Sequence, residues 1–270
     1  MGQSENDRFE AEQYWSNRLE ETDSLEGVGY LGMGEQWNRW MYAVRRRVFS
    51  RVVRQALDLS SARVLDIGSG TGFYVALWKE LGAREVTGSD LTLVAVERLR
   101  ARFPSASAHQ LDLTGSLPAD LGQFDAISAM DVLFHIVDDD GYARAIENLA
   151  RLLVPGGVVV LTENLVHGGT ERGEHQTSRS FDEVLGLLSR WGLEVEQRRP
   201  AFVLMNTPID SANVVLRHAW TGVNLLVRGG PRRAWATGAA LYPLELGLTR
   251  IVREGPSTEI VACRKSAAAR

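Results

Sequence analysis

The chain is poor in the features that staple, span or export a protein. It holds one cysteine, Cys263, among 270 residues, which excludes an intrachain disulfide and suits a reducing cytoplasm. That cysteine falls in the last strand pattern and reads as an inert core residue. No run of about 18 apolar residues occurs, so no helix is expected to span a membrane. The start, Met1-Gly2-Gln3-Ser4-Glu5-Asn6-Asp7, lacks the basic-then-apolar order of an export signal. Repeats are missing, and the only low-complexity stretch is Ala267-Ala268-Ala269, expected to fray. Positive charge is scarce over most of the length. The chain carries a net −4, yet residues 198–270 hold eleven Lys and Arg against four Asp and Glu, a balance of +7 that leaves −11 for residues 1–197. A body that acidic is not expected to bind nucleic acid.

At 44% hydrophobic, the chain can bury one substantial core with room for an appendage. The densest signal is Val64-Leu65-Asp66-Ile67-Gly68-Ser69-Gly70-Thr71-Gly72-Phe73-Tyr74. Val64 to Ile67 reads as a buried parallel strand, and a helical pattern opens at Phe73. A strand passing through a glycine-rich turn into a helix is a nucleotide-binding architecture, because missing β-carbons let backbone amides approach a ligand. A dinucleotide fingerprint has the spacing G-x-G-x-x-G. Here Gly68, Gly70 and Gly72 make G-x-G-x-G, with Asp66 in the strand before them.

The α/β rhythm continues. Glu85 to Asp90 is a second strand ending in an acid, 22 residues after Gly68, where a carboxylate can accept both ribose hydroxyls. A helix closes at Pro104, and Ala106 to Gln110 reads as a third strand leading into Leu111-Asp112-Leu113. Phe124 to Asp131 is a fourth strand, Tyr142 to Leu153 a helix, and Pro155-Gly156-Gly157 the turn into a fifth strand, Val158 to Thr162. From about Arg63 to Glu163 these landmarks together resemble the class I S-adenosylmethionine (SAM) dependent methyltransferases of bacterial small-molecule type. The resemblance implies SAM as cofactor and a Rossmann-like, seven-stranded, mostly parallel sheet whose last strand, Ser257 to Arg264, is antiparallel. It also implies a cofactor site built from Asp66, Gly68, Ser69, Gly70, Asp90, Leu91, Asp112, Leu113 and Met130. Asp90 would hold the ribose. Asp112 would meet the adenine amino group, with Leu113 packing beside it. Asp66 would orient the loop through its backbone amides.

Four segments follow from this: an N-terminal helical cover (1–60), the SAM-binding core (61–205), a helical insert (206–255) and the last strand with its tail (256–270). In the cover, Glu10 to Glu20 looks helical. After a link containing Gly27, Gly29, Gly32 and Gly34, Gln36 to Leu57 is amphipathic, with Trp37, Trp40, Met41, Val44, Val48, Val52 and Ala56 on one stripe. Arg45, Arg46, Arg47, Arg51 and Arg54 fall largely elsewhere and read as a solvated face. Tyr14, Trp15, Tyr30, Trp37 and Trp40 are candidates for a lid over the cofactor. Past the fifth strand, Ser180-Phe181-Asp182-Glu183 is a capping box, and a sixth strand runs from Leu193 toward Val203. The insert has apolar stripes at helical spacing (Val214, Val215, Ala219, Trp220, Val223, Leu226 and Trp235 to Ile251), with Arg228, Arg232 and Arg233 at its break. It reads either as packing on the sheet edge or as a cover for an apolar, anionic acceptor; contact with an anionic membrane is a further option.

Methyl transfer is an in-line displacement that needs an aligned nucleophile and little water. The expected base is His135, at the carboxyl edge after the fourth strand, since an imidazole near pKa 6.5 suits neutral pH. Asp131 would orient either the SAM amino group or that histidine. A metal is not expected, because Asp138, Asp139 and Asp140 sit where a helix start needs acids. The His167 and His175 pair has no recognised ligand spacing. The sequence thus reads as a cytoplasmic SAM-dependent methyltransferase acting on a small or medium organic molecule. Oxygen is the first-choice acceptor on an apolar or anionic metabolite. The alternative is a SAM-fold protein that binds the cofactor without methylating, such as a pericyclase, decarboxylase or regulatory partner; an NAD-dependent oxidoreductase fits the glycine spacing poorly.

Overall fold

The computed structural model describes residues 11–267 apart from positions 23, 26, 28, 31 and 212. The polar start Met1 to Asp7, Glu10 and the alanines 268 and 269 therefore lie outside the described residues. Five strands come first: β1 (Arg63–Ile67), β2 (Glu85–Asp90), β3 (Ser107–Gln110), β4 (Phe124–Ala129) and β5 (Leu153–Glu163). A small hairpin follows, β6 (Glu171–Arg172) and β7 (Thr177–Ser178), and the chain ends with β8 (Leu193–Pro200) and β9 (Glu259–Lys265). The main sheet has seven strands in the order β3-β2-β1-β4-β5-β9-β8. Neighbours from β3 through β5 pair in parallel, while β9 runs antiparallel to both β5 and β8. The expected sheet is present. Its order reverses direction between β1 and β4, and the crevice at such a switch point is where open α/β sheets take ligands.

The sheet is covered on both faces, which is why its central strands are apolar along their whole length. One apolar cluster lies under α2 (Gly34–Ala56), α3 (Phe73–Leu81) and α4 (Leu93–Arg102), with Trp37, Phe49 and Trp78 fully buried. The other lies under α5 (Asp139–Leu152) and α6 (Phe181–Arg190) and centres on Tyr142, Ile146 and Leu188. Helix starts are closed by side chains: Asp138 accepts from the Gly141 amide at 2.6 Å, and Ser180 accepts from the Glu183 amide at 3.2 Å. The first helix, α1 (Ala11–Glu21), lies against α4.

Two strand boundaries differ from the sequence reading. β5 begins at Leu153 rather than Val158, because Leu153 already pairs with Phe124 ahead of a register shift. β8 stops at Pro200 instead of reaching Val203. The amides of Val203, Leu204 and Met205, which would continue toward a ladder, donate instead to the buried carboxylate of Glu245. Glu245 belongs to the insert, whose helices are α7 (Val214–Arg228) and α8 (Pro231–Ile251). α8 packs along α2 closely enough that a β-carbon on Gly238 would stand 2.3 Å from Trp40 Cδ1. The insert's apolar stripes only partly pack: Trp220 is buried, but Val214, Val215, Leu226, Trp235, Leu244 and Ile251 face outward.

Candidate active site

The carboxyl ends of β1, β2 and β4 open into a cavity of about 570 Å³. Its floor begins with the turn after β1. Gly68 has φ +68°, and a β-carbon there would fall 2.4 Å from Val132 Cγ2, so both backbone conformation and space demand glycine. The loop is tied to the next strand at three points. Ser69 and Ser89 exchange backbone and hydroxyl hydrogen bonds at 2.8 and 3.1 Å, and the Gly70 amide donates to Asp90 Oδ2 at 2.9 Å. The other oxygen of Asp90 accepts from the Thr92 amide and hydroxyl, at 3.0 and 2.8 Å. Burial raises the Asp90 pKa, opposed by the Thr92 and Gly70 amides.

Eight of the nine expected cofactor residues line this cavity: Gly68, Ser69, Gly70, Asp90, Leu91, Asp112, Leu113 and Met130. Asp112 lies at the exposed rim, where its Oδ1 accepts from the amide and hydroxyl of Thr114 at 2.8 and 2.7 Å. Asp66 is the exception. It sits beneath the loop, and its carboxylate accepts from the Ser128 hydroxyl at 2.5 Å rather than from loop amides. Ser128 in turn accepts from Trp78 Nε1 at 2.8 Å. What holds the loop is the Asp66 backbone carbonyl, which accepts from the Ser69 and Ser89 hydroxyls at 3.0 and 3.1 Å. Burial pushes the Asp66 carboxyl up to about 7, although the Ser128 and Ser69 hydrogen bonds pull the other way. Asp66 is a buried support, not a cavity wall.

Both expected catalytic residues reach the cavity. Asp131 follows β4 in a left-handed conformation, φ +59°, the one positive φ at a non-glycine among the described residues. Thr162 holds it there, accepting from the Asp131 amide at 2.6 Å and donating to Oδ1 at 3.0 Å, while Oδ2 pairs with Arg45 of α2. His135 closes a short helical turn, Leu133–His135. Its Nδ1 lies 2.8 Å from the carbonyl of His175. A carbonyl only accepts, so Nδ1 carries the proton and Nε2 is left with a lone pair. His135 is therefore oriented by the β6–β7 hairpin and not by Asp131. Burial lowers the His135 pKa to about 4, partly offset by that carbonyl; the imidazole is neutral at pH 7.

The roof comes from α1 and α2. Trp15 lines the cavity and meets His135 edge-on at 4.9 Å between ring centroids, while Tyr14 stacks on His175 at 5.8 Å. The other three lid candidates lie elsewhere. The Tyr30 hydroxyl is 2.7 Å from Thr207 Oγ1, Trp37 is fully buried beside Trp220, and Trp40 packs on α8. Tyr42, Phe73 and Tyr74 line the cavity instead. Arg45, taken from sequence as part of a solvated face, is 11% exposed, lies over the rings of Tyr42 and Phe202, and keeps a buried Nε without a hydrogen-bond partner. A helical wheel places it within the apolar stripe, four residues after Met41 and three before Val48, and its inward partner is Asp131. No described residue of the insert lines the cavity, and Arg232 and Arg233 are exposed at the start of α8. The acids and histidines weighed as metal ligands have other partners: Asp138 caps α5, Asp139 pairs with Arg172 and Arg179, and His167 pairs with Asp210 and Glu254.

Residues 64–157 match a family model described as a methyltransferase domain. A ubiquinone biosynthesis O-methyltransferase of Xanthomonas oryzae pv. oryzae (strain PXO99A) is 40% identical over 114 residues, 41% of this chain and 46% of the relative. A tRNA U34 carboxymethyltransferase of Azotobacter vinelandii (strain DJ / ATCC BAA-1303) is 34% identical over 155 residues, 54% of this chain and 47% of the relative. The chain thus spans about half the length of these curated relatives. Among solved structures, magnesium protoporphyrin IX methyltransferase from Synechocystis PCC 6803 with bound SAM aligns at TM-score 0.60 over 98% of this chain and 100% of its own, at 14% identity. A 4+2 cyclase aligns at TM-score 0.53 over 83% and 81%, at 23% identity, so the fold by itself does not fix the reaction. Residues 64–157 thus form a methyltransferase domain, and the fold around them is that of SAM-dependent methyltransferases.

Proposed function

We propose that the chain moves the methyl group of SAM to an oxygen of a small organic acceptor lying against His135. The observation that carries this reading is the fixed tautomer of His135, which leaves a neutral Nε2 lone pair at a cavity of small-molecule size. SAM, when bound, supplies a methyl group made electrophilic by its sulfonium sulfur. The chain's residues fit that molecule from end to end. Asp90 would accept from the ribose hydroxyls, and Leu91, Leu113 and Asp112 would hold the base. Asp131, held by Arg45 and Thr162, would meet the ammonium of the amino-acid end. Trp15 and Tyr42 roof the space and keep water from the nucleophile. His135 then accepts the hydroxyl proton as the methyl group is attacked. A cavity of small-molecule size set in an acidic body supports a small acceptor over an RNA. The buried thiol of Cys263, pushed up to about 12, is inert and consistent with a cytoplasmic protein.

The test is to incubate the protein with methyl-labelled SAM and either a metabolite extract or total tRNA. Label in a small oxygen-methylated product is the expected result. Label in RNA overturns the acceptor class, and SAM binding without transfer to either pool overturns the activity in favour of a non-methylating role. His135→Ala is expected to lower turnover by about 10²–10⁴ with SAM affinity nearly intact. Near-normal turnover in that variant removes the base and with it the preference for oxygen.

A further inference from the structure

We propose that the outward faces of α7 and α8 dock the protein on an anionic lipid bilayer. Among the described residues eight large apolar side chains are exposed, and seven of them lie on these two helices: Val214, Val215, Leu225, Leu226, Trp235, Leu244 and Ile251. Single exposed apolar residues are ordinary, but this concentration is not. On α7, at about 100° per residue, Val214, Val215, Gly222, Leu225 and Leu226 occupy roughly one third of the circumference. Trp220 and Val227, on another side of α7, are buried. The helix is therefore apolar on two faces, and only one of them is used by the fold. On α8 the outer face carries Leu244 and Ile251, with arginines at both ends of the helix.

Charge decides what kind of partner fits. Residues 211–253 contain six arginines, Arg217, Arg228, Arg232, Arg233, Arg250 and Arg253, all exposed and none in an ion pair among the described residues. The single carboxylate in this stretch, Glu245, is fully buried and occupied by the amides of residues 203–205. The surface is thus apolar and cationic; the exposed carboxylate at its end, Glu254, is engaged by His167 and Arg198. A second copy of the chain is a poor occupant, since a two-fold contact would bring arginines against arginines with no acid to separate them. A protein partner would normally meet a polar rim of both signs. A bilayer with anionic headgroups asks only for apolar depth and cations, which is what the two helices offer. Among the described residues no helix is long and apolar enough to cross a membrane, so α7 and α8 would lie in the interface. This inference stands apart from the methyl-transfer reading, because none of these residues lines the cavity.

Cosedimentation of the whole protein with phosphatidylglycerol vesicles and with phosphatidylcholine vesicles tests it. Binding to the anionic vesicles at low salt is expected to be roughly tenfold or more stronger and to be released by added salt. The combined variant Leu225→Ser, Leu226→Ser, Leu244→Ser and Ile251→Ser is expected to lose most of that binding while keeping its melting temperature and its SAM affinity. Arg217→Gln with Arg228→Gln, Arg232→Gln and Arg233→Gln is expected to erase the preference for anionic lipid. A folded wild-type protein that stays in solution with anionic vesicles overturns the proposal. So does undiminished vesicle binding by either variant, or a dimer in solution that the serine variant dissolves and vesicles do not compete away. Retention on an acidic polypeptide as strong as on vesicles would assign the surface to a protein partner and overturn the lipid.

Discussion

The floor and the roof of the cavity are built by different rules. The floor is the glycine turn and the acid-tipped strand ends, held by backbone hydrogen bonds over short stretches of chain. Gly68, Ser69, Gly70 and Asp90 are fixed by what the backbone itself requires. The roof is α1 and α2, and its contributing side chains, Trp15, Tyr42 and Arg45, are selected by tertiary packing alone. A floor residue is hard to replace because a conformation depends on it. A roof residue is replaceable in shape but sets what the floor can do, by excluding water and supplying charge.

The largest expected effect breaks the floor. In Gly68→Ala the new β-carbon must take a left-handed φ and displace Val132, which itself follows the strained Asp131. Strain and overpacking together are expected to cost about 2–5 kcal/mol of stability, read by denaturant unfolding, with SAM binding lost in calorimetry. An alanine variant of ordinary stability that still binds SAM would mean that the turn is not the rigid element of the comparison.

Next comes the proton balance of His135, where roof and floor meet. Its folded pKa is about 4 against 6.5 unfolded. The unfolded chain therefore binds the proton more readily, and the contribution is fully present above about pH 6.5 and lost as pH falls through 4. Against His135→Gln, the wild type is expected to lose up to about 3 kcal/mol of stability between pH 7 and pH 4. The opposite slope from Asp66 and Glu163, both raised to about 7 by burial, is common to the two proteins and cancels in the difference. The rate should likewise be flat through pH 6.5, in contrast to the inflection expected of an ordinary histidine. A pH-independent stability difference would show that His135 is solvated.

The contrast also explains what the sequence made legible. Strand, glycine turn and terminal acid repeat a local pattern, and the resemblance that pattern carries implies the sheet with its reversed last strand, which is present, and nine residues of which eight line the cavity. Asp66 was misjudged because its neighbours in space, Ser128 and Trp78, come from β4 and α3. Arg45 carries a local sign of burial, its place four residues after Met41 and three before Val48, but what an arginine does there depends on Asp131, which comes from the end of β4. The end of β8 depended on Glu245, more than forty residues away in a helix with no local sign of its role.

A smaller effect is expected from the roof charge. Arg45→Met leaves Asp131, a wall of the cavity, without its cation. SAM affinity is expected to fall by about 10- to 100-fold, the worth of a charge-assisted hydrogen bond or two, with Arg45→Lys recovering part of the loss. Unchanged affinity in both variants would make Arg45 a packing residue of α2 and confine the cofactor contacts to the floor.

The smallest effect tests whether the roof tunes the floor. Trp15 covers His135 edge-on, and desolvation is the largest cause of that histidine's low pKa. Trp15→Ala opens the ring to water without touching the His175 carbonyl that fixes its tautomer. The His135 pKa is expected to climb by about one unit, toward the ordinary value, as read by proton chemical shifts of the imidazole across pH. Turnover should then acquire a pH dependence between 4 and 6.5 that the wild type lacks, and SAM affinity should fall only a few-fold because Trp15 is one wall among many. If the pKa stays near 4 after Trp15 is removed, the desolvation comes from Phe134 and the β6–β7 hairpin beneath. His135 would then be a property of the floor alone.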